Sequence, residues 1–440
     1  MSGFGGREWR ARFEAGLRSQ ARWSRPRRAA PAFIEGNHAE FLEDGQTQLA
    51  WMLAAIRASR RRVDFEMYIV ADDDAGRAVR DALVDAARRG VHVRVIFDSI
   101  GSADAGHTFF EPIASAGGEL AEFNPIAPWR LRASRLGKVQ AWQPNTRDHR
   151  KLLIADVPAT WASRTVPPSE SDVESDMPSL ASLDADERAS LAILGGRNLG
   201  DEYLSRPLGA GQWRDCGAVI FGPIIHELGA LFDAMWLQAT SQTAAENRNV
   251  PKLRAPPAGD DAILAIGTRP GFFNLLQWAL AHLAWSVERE LRVSCAYFIP
   301  TGRWVRALRG VVRRGGVCLL LLPKKSDLPI VDAASRHFWG TLLAAGVGIF
   351  QHTREVLHEK TLIYDQRLTV IGSSNLDSRS FRLNHELAVI VLGERFAREV
   401  VAAHAANVER AEPFTYAMWK QRGILSRLTD WFWALFRRQL

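Results

Sequence analysis

Residues 145–156 read NTRDHRKLLIAD, and residues 357–365 read LHEKTLIYD. Each places a histidine two residues before a lysine and seven before an aspartate: His149, Lys151 and Asp156, then His358, Lys360 and Asp365. The chain has eleven histidines and only seven lysines against 49 arginines, so chance supplies about 0.2 such His-x-Lys pairs. Two pairs with matching flanks are a signal. Each opens an apolar run of strand character, and positions i and i+2 of a strand share a face, so each His and Lys address one site together. The aspartates sit at an odd offset and face away if the strand continues. Asp156 and Asp365 therefore read first as strand-end or turn residues, with a catalytic part as the other reading. Downstream, Gly195-Gly196-Arg197-Asn198 and Gly372-Ser373-Ser374-Asn375 suit tight turns that bring backbone and an amide donor close to an anion.

Working outward, the flanking segments repeat as well. Leu49–Ser59 is amphipathic, Val63–Val70 strand-like, Ala75–Arg89 helical and Val91–Asp98 a buried strand after Gly90. Later Phe273–Glu288 is helical, Leu291–Ile299 strand-like, Gly302–Arg314 helical and Val317–Pro323 a short apolar strand. This β-α-β alternation predicts a parallel or mixed sheet covered by helices. An internal duplication follows: a first half over 36–250, a Pro- and Ala-rich joint at 251–257 and a second half over 258–412, between a basic arm at 1–35 and a basic helix at 413–440. Residues 157–190 carry seven acidic and two basic residues and read as an inserted surface loop.

With 440 residues, 47% hydrophobic and 24% charged, the chain has the composition of a globular protein with core enough for two or three domains. No run of 18 apolar residues predicts a spanning helix. The Arg-rich start lacks the apolar stretch of a signal peptide. Cys216, Cys295 and Cys318 make no disulfide framework and have no metal-site spacing, which fits a reducing compartment. The net charge of +7 admits nucleic acid or anionic lipid as partner. Its location narrows that choice, because residues 1–30 carry +6 and residues 413–440 carry +4. The body between them is not basic, against the expectation for a nuclease.

The duplicated H-x-K-x4-D with downstream G-x-x-N resembles the phospholipase D superfamily, and within it the bacterial cardiolipin synthases of the B type, which lack N-terminal transmembrane helices. FNP at 123–125, GGRNLGDEY at 195–203, AYFIP at 296–300 and GSSNLDSRSFRLNHELAVI at 372–390 carry the likeness over about residues 36–412. It implies an α/β fold of two similar lobes, each a mixed, mostly parallel sheet flanked by helices, with one active site at the pseudo-twofold seam. It also implies His149 as nucleophile through a phosphohistidine, and His358 as the acid that protonates the leaving alkoxide and then deprotonates the incoming alcohol or water. Lys151, Lys360, Asn198 and Asn375 hold the nonbridging oxygens. No metal and no cofactor is implied.

The chemistry asks for these parts independently. A phosphodiester is an anion, and its transition state needs donors on the phosphoryl oxygens. A covalent intermediate splits one displacement into two. The two imidazoles start in opposite protonation states, which histidine supports near pH 7. Each histidine also calls for an orienting carboxylate. Glu386, in NHELAVI, follows His358, and Asp215, in WRDCGAVI, is its first-half counterpart; an ordinary strand-edge acid is the plainer alternative. Ser374 and Ser373 are further phosphate donors where the first half has Gly196 and Arg197. Glu66, Tyr68 and Tyr297 line the pocket or pack the core. His352 and His385 read as structural or solvated, and Cys216 as a small packed residue.

Near the C-terminus Ile424, Leu425, Leu428, Trp431, Phe432 and Leu435 share one helical face among Arg422, Arg427, Arg437 and Arg438. That is the pattern of a helix lying on anionic lipid. Trp9, Phe13 and Leu17 make a weaker version, and Trp9, Trp23, Trp419, Trp431 and Trp433 are five of the chain's 15 tryptophans. Packing on the body is the alternative for both. The expected partners are an anionic phospholipid membrane and phosphatidylglycerol, without nucleic acid, at the cytoplasmic side of a bacterial cytoplasmic membrane. Three functions stay open: cardiolipin synthesis with release of glycerol, hydrolysis to phosphatidic acid, and DNA phosphodiester cleavage.

Overall fold

The computed structural model describes residues 7–24, 30–125, 145–169, 171–173, 187–204, 212–243, 245–271 and 273–439. It divides into two units. The first is Ile34–Ser205 with Gly217–Ala262; the second is Met1–Phe33, Arg206–Cys216 and Ile263–Leu440.

In the first unit the sheet is built from β1 (Ile34–Leu42), β2 (Arg62–Met67), β3 (His92–Asp98), β4 (Glu119–Phe123), β5 (Lys151–Pro158), β6 (Arg188–Gly195) and β7 (Gly217–Phe221), in the order β1-β7-β6-β5-β2-β3-β4. Helices α2 (Gly45–Ala58) and α3 (Asp74–Arg88) start at Asp44 and Asp73, whose carboxylates accept from the backbone N–H of Thr47 and Gly76, as N-caps do. Their apolar faces, with Trp51, Ile56, Val79 and Leu83, bury the odd-numbered side chains Phe65, Val95 and Leu153 of the strands. The even-numbered positions Arg62, Asp64 and Arg94 face the other way, toward α4 (Ile225–Thr240), where Arg62 and Arg94 share Asp233.

The second unit repeats the plan with β8 (Asp261–Gly267), β9 (Glu290–Cys295), β10 (Val317–Pro323), β11 (Gly348–His352), β12 (Lys360–Tyr364), β13 (Leu368–Gly372) and β14 (Leu387–Leu392). The order is β8-β14-β13-β12-β9-β10-β11, extended at the edge by β15 (Glu412–Phe414). Term by term, this is the order of the first unit. Helices α5 (Leu275–Trp285), α6 (Gly302–Arg313) and α7 (Pro329–Leu343) precede β9, β10 and β11, and α8 (Glu394–Glu409) follows β14.

Both sheets are mixed, with a smaller parallel part than the alternation alone suggests. Of the described pairings within the sheets, β2-β3-β4 and β9-β10-β11 run parallel, whereas β5, β6 and β7, like β12, β13 and β14, pair antiparallel. Parallel neighbours need a crossover helix, and strands that return directly on themselves do not. Within the acidic segment, β5 extends through Pro158 and a 3-10 turn at Ala159–Ser163 buries Trp161 edge-on to Trp51 at 6.2 Å. This part is core rather than surface loop; residues 174–186 lie outside the described residues.

Helix α1 (Arg7–Ser24) corrects one expectation. Trp9, Phe13 and Leu17 are buried, and Phe13 stacks on Trp278 of α5 at 6.1 Å. A Cβ at Gly16 would come within 2.6 Å of the Trp278 ring, so the glycine lets the helices close. This apolar face is spent on packing and is not a lipid face. The side chain of Trp23 lies outside the described residues.

Candidate active site

His358 is held by a segment that comes from the other half of the sequence. Trp213–Arg214 pairs in parallel with Val356–Leu357, and His358 donates its backbone N–H to the Arg214 carbonyl at 2.7 Å. That short ladder brings Asp215 against the ring: His358 Nδ1 lies 2.7 Å from Asp215 Oδ2. The other Asp215 oxygen accepts the backbone N–H of Cys216 at 2.7 Å, which fixes the carboxylate. Lys360 Nζ donates to Asp215 Oδ2 at 3.3 Å and to the His358 carbonyl, and lies 2.7 Å from His358 Nδ1. An ammonium cannot accept a proton, so a protonated Nδ1 is satisfied by Asp215. Two rings confine the imidazole edge-on, Trp213 at 4.9 Å and Tyr297 at 6.1 Å, and the Tyr297 hydroxyl donates to Asp327.

In the first unit His149 and Lys151 take the same positions at the mouth of β5, both buried. Lys151 Nζ donates to the His149 carbonyl at 2.7 Å and sits 5.0 Å from the centre of the Tyr68 ring, which meets His149 edge-on at 4.7 Å. Both tyrosines, Tyr68 and Tyr297, thus stand beside a histidine. Asp148 and Arg150 alternate with the His149-Lys151 pair and face the opposite side of the strand, where Arg150 Nη1 lies 3.8 Å from Glu66. Burial, then the Asp148 charge, holds Glu66 well above the usual carboxylate range; burial likewise pushes Asp148 up to about 6 against the pull of Arg150. Glu66 is fully buried in this group.

The Gly-x-Asn corners are placed by matching bridges, Val70 to Leu199 and Phe298 to Leu376, that tie each asparagine to the strand end next to its histidine and lysine. Asn198 Nδ2 donates to the Tyr203 hydroxyl at 3.0 Å, and Asn375 Oδ1 accepts the Tyr297 N–H at 3.4 Å. Gly372 must be glycine, because a Cβ there would come within 2.3 Å of the Leu387 carbonyl. Ser374 donates to the Asn375 carbonyl, whereas Ser373 is bound to Glu386, which also accepts from Asn384. Arg197 is turned away to Gln48 and the Glu43 carbonyl.

Asp156 and Asp365 sit at the opposite strand ends. Asp156 accepts the backbone N–H groups of Arg61 and Arg62 at 2.9 and 2.8 Å and the Arg188 guanidinium at 2.7 Å. Asp365 accepts those of Glu288, Arg289 and Glu290 at 2.8–2.9 Å. Each carboxylate clamps the turn that starts the neighbouring strand, β2 or β9. His352 pairs with Glu355 at 2.5 Å, His385 is buried, and Cys216 is a buried thiol.

In each unit a lysine, an imidazole and an asparagine amide at a strand mouth are donors suited to an anionic phosphodiester. The family described as "Cardiolipin synthase, PLD-like domain" matches residues 52–236 and 281–406. The chain belongs to this family. Cardiolipin synthase A of Pseudomonas fluorescens (strain SBW25) is 29% identical over 83% of the chain and 67% of its own length. The cardiolipin synthase of Alkalihalophilus pseudofirmus is 26% identical over 88% and 69%, and the major cardiolipin synthase ClsA of Bacillus subtilis (strain 168) is 26% identical over 90% and 74%. In fold, the chain is similar to phosphatidylserine synthase of Haemophilus influenzae Rd KW20, with a TM-score of 0.66 at 12% identity, over 98% of this chain and 100% of that one. It is thus a cardiolipin synthase-like enzyme of the phospholipase D superfamily, and its C-terminal helix lies outside the residues matched by the family model.

Sequence reasoning passed over Trp213 in this cardiolipin synthase-like site. Its signal was its place two residues before Asp215, on the same face of an extended segment. The partner of Asp215 was also out of reach: same-half pairing gives it to His149, whereas the 212–216 segment is seated on the strand that carries His358.

Proposed function

We propose that the protein makes cardiolipin by moving a phosphatidyl group from one phosphatidylglycerol to the hydroxyl of a second, with release of glycerol. The observation that carries the reading is the Asp215–His358–Lys360 cluster, repeated as a His149–Lys151 pair, in a chain whose named relatives are cardiolipin synthases. His149 attacks phosphorus, and the P–N bond forms as the P–O bond to glycerol breaks. His358 gives its proton to the leaving alkoxide. It then takes the proton of the acceptor hydroxyl, whose oxygen attacks phosphorus and frees His149. Lys151, Lys360, Asn198, Asn375 and Ser374 hold the nonbridging oxygens. Asp215 orients the His358 imidazole, Glu386 holds Ser373 at the phosphate-binding corner, and Asp156 and Asp365 keep the strands that carry the site in register. The enzyme works peripherally at the cytoplasmic face of the bacterial cytoplasmic membrane.

The test is purified protein with phosphatidylglycerol vesicles, products resolved by mass spectrometry. Cardiolipin and glycerol in equal amounts are expected, with a phosphatidyl adduct on the peptide that contains His149 after quenching in neutral denaturant, since acid cleaves a P–N bond to imidazole. His149→Ala should abolish both. Phosphatidic acid without cardiolipin would replace synthesis by hydrolysis, and an adduct on His358 would reverse the two histidine roles. DNA cleavage without lipid turnover would overturn the lipid reading.

A further inference from the structure

Helix α9 (Ile424–Leu435) is docked with its polarity reversed. Its inward residues are Asp430 and Ala434; Asp430, 2% exposed, is ion-paired to Arg336 of α7 and to Arg422. Ile424, Leu425, Leu428, Trp431, Phe432 and Leu435 face outward, Ile424 at 76% and Leu425 at 81% exposure. A helix meant for water buries its apolar stripe and exposes its charge. This one is anchored by a buried ion pair and leaves a continuous apolar face uncovered.

The face leads to the site. Half-buried Trp433 packs on the cluster of Ile299, Val331 and Ala334, which also holds Tyr297, the ring beside His358. Exposed cations lie on this helix and on α6. Arg427, Arg437 and Arg438 are exposed on or next to the helix. On α6, which lies beside α7, Arg303, Arg306, Arg309 and Arg313 are exposed, no carboxylate occurs in the helix, and among the described residues none of the four is ion-paired. Right-handed β9-α6-β10-α7-β11 crossovers put α6 and α7 on one side of the sheet.

We propose that this face is the membrane-docking surface. Helix α9 lies in the interface of an anionic bilayer, the α6 arginines engage phosphate headgroups, and lipid is handed past Trp433 and Tyr297 to His358. At twelve residues the helix is about 18 Å long, too short to span a bilayer core of about 30 Å. It lies on the membrane rather than crossing it. The handing-over step rests on the lipid-transfer reading above; the docking itself does not.

The test uses the full chain and the triple variant Ile424→Ser, Leu425→Ser, Leu428→Ser, all at exposed positions. Flotation is measured with vesicles of phosphatidylcholine alone and of phosphatidylcholine with phosphatidylglycerol. Turnover is measured on those vesicles and on short-chain phosphatidylglycerol below its micelle concentration. Wild type should bind the anionic vesicles more tightly, and the triple variant should lose at least roughly tenfold in binding and in vesicle turnover. Its turnover of monomeric short-chain lipid should stay within about twofold. Arg306→Gln, Arg309→Gln, Arg313→Gln should weaken only the anionic component, by about fivefold per charge. Unchanged vesicle binding in the triple variant would overturn the proposal, as would a wild-type dimer that becomes monomeric in that variant while vesicle binding persists. Preferential binding of DNA over anionic vesicles would overturn it as well. Normal docking without turnover of either lipid form would instead sink the proposed reaction and leave the docking surface standing.

Discussion

Asp215 and His358 are 143 residues apart in sequence and 2.7 Å apart in the fold. A carboxylate on Nδ1 selects the tautomer that the proposed proton exchange at Nε2 requires, and it stabilises the imidazolium. Asp215→Asn keeps the size and removes the charge. Turnover should fall by about 10²–10⁴, with the acid and base limbs of the kcat profile displaced. Asp215→Glu should restore part of the rate. A wild-type pH profile in Asp215→Asn would show that the carboxylate does not orient the ring.

Asp156 and Asp365 lead to the opposite expectation. Each takes backbone N–H groups that start a neighbouring strand, and its loss leaves those donors without their acceptor. Asp365→Ala should lower stability by about 1–3 kcal/mol, seen as a lower urea midpoint. Turnover per folded molecule should change less than about threefold. A hundredfold loss of turnover at unchanged stability would return these aspartates to the catalytic set.

Asp377 caps the short helix Ser378–Arg382 through the Ser380 N–H at 2.7 Å. Burial, with the Glu386 charge adding to it, pushes its carboxyl up to about 7. The folded state therefore holds a proton that the unfolded chain gives up near pH 4, and stability falls as pH rises from about 4 to 7. Asp377→Asn keeps a capping oxygen and removes the charge. Its Tm should match wild type at pH 4 and exceed it at pH 8, by an amount equivalent to a few kcal/mol. A gain of equal size at every pH would contradict the titration.

His404 titrates in the other direction. Burial, then the nearby Arg292, lowers it to about 4, so the folded state keeps it neutral while the unfolded chain protonates near 6.5. Its contribution is complete above pH 6.5 and is lost as pH falls toward 4. His404→Leu should flatten the acid limb of stability against pH, read from denaturant midpoints between pH 4 and 7. An unchanged acid limb would mean that other groups set it.

The duplicated strands, the two His-x-Lys pairs and the Gly-x-Asn corners were legible because each depends on neighbours within a few residues. A strand's two-residue period puts His149 with Lys151 and His358 with Lys360 whatever the rest of the chain does. The odd offset of Asp156 and Asp365 follows from the same period. The extent of parallel pairing was not legible, because it depends on which strands cross over and which return directly.

The two aromatic basic helices show the boundary most clearly. Trp9, Phe13 and Leu17 in α1 and Leu425, Leu428 and Trp431 in α9 are written in the same amphipathic pattern. The first set is buried on Trp278, and the second is exposed beside a buried Asp430. The sequence by itself determined a duplicated α/β fold with a phosphodiester motif in each half, since local periodicity and residue chemistry suffice for that. Which acid meets His358, and which apolar helix face is left uncovered, were decided only by the tertiary structure. Both depend on where a distant segment comes to rest, and no local periodicity encodes that.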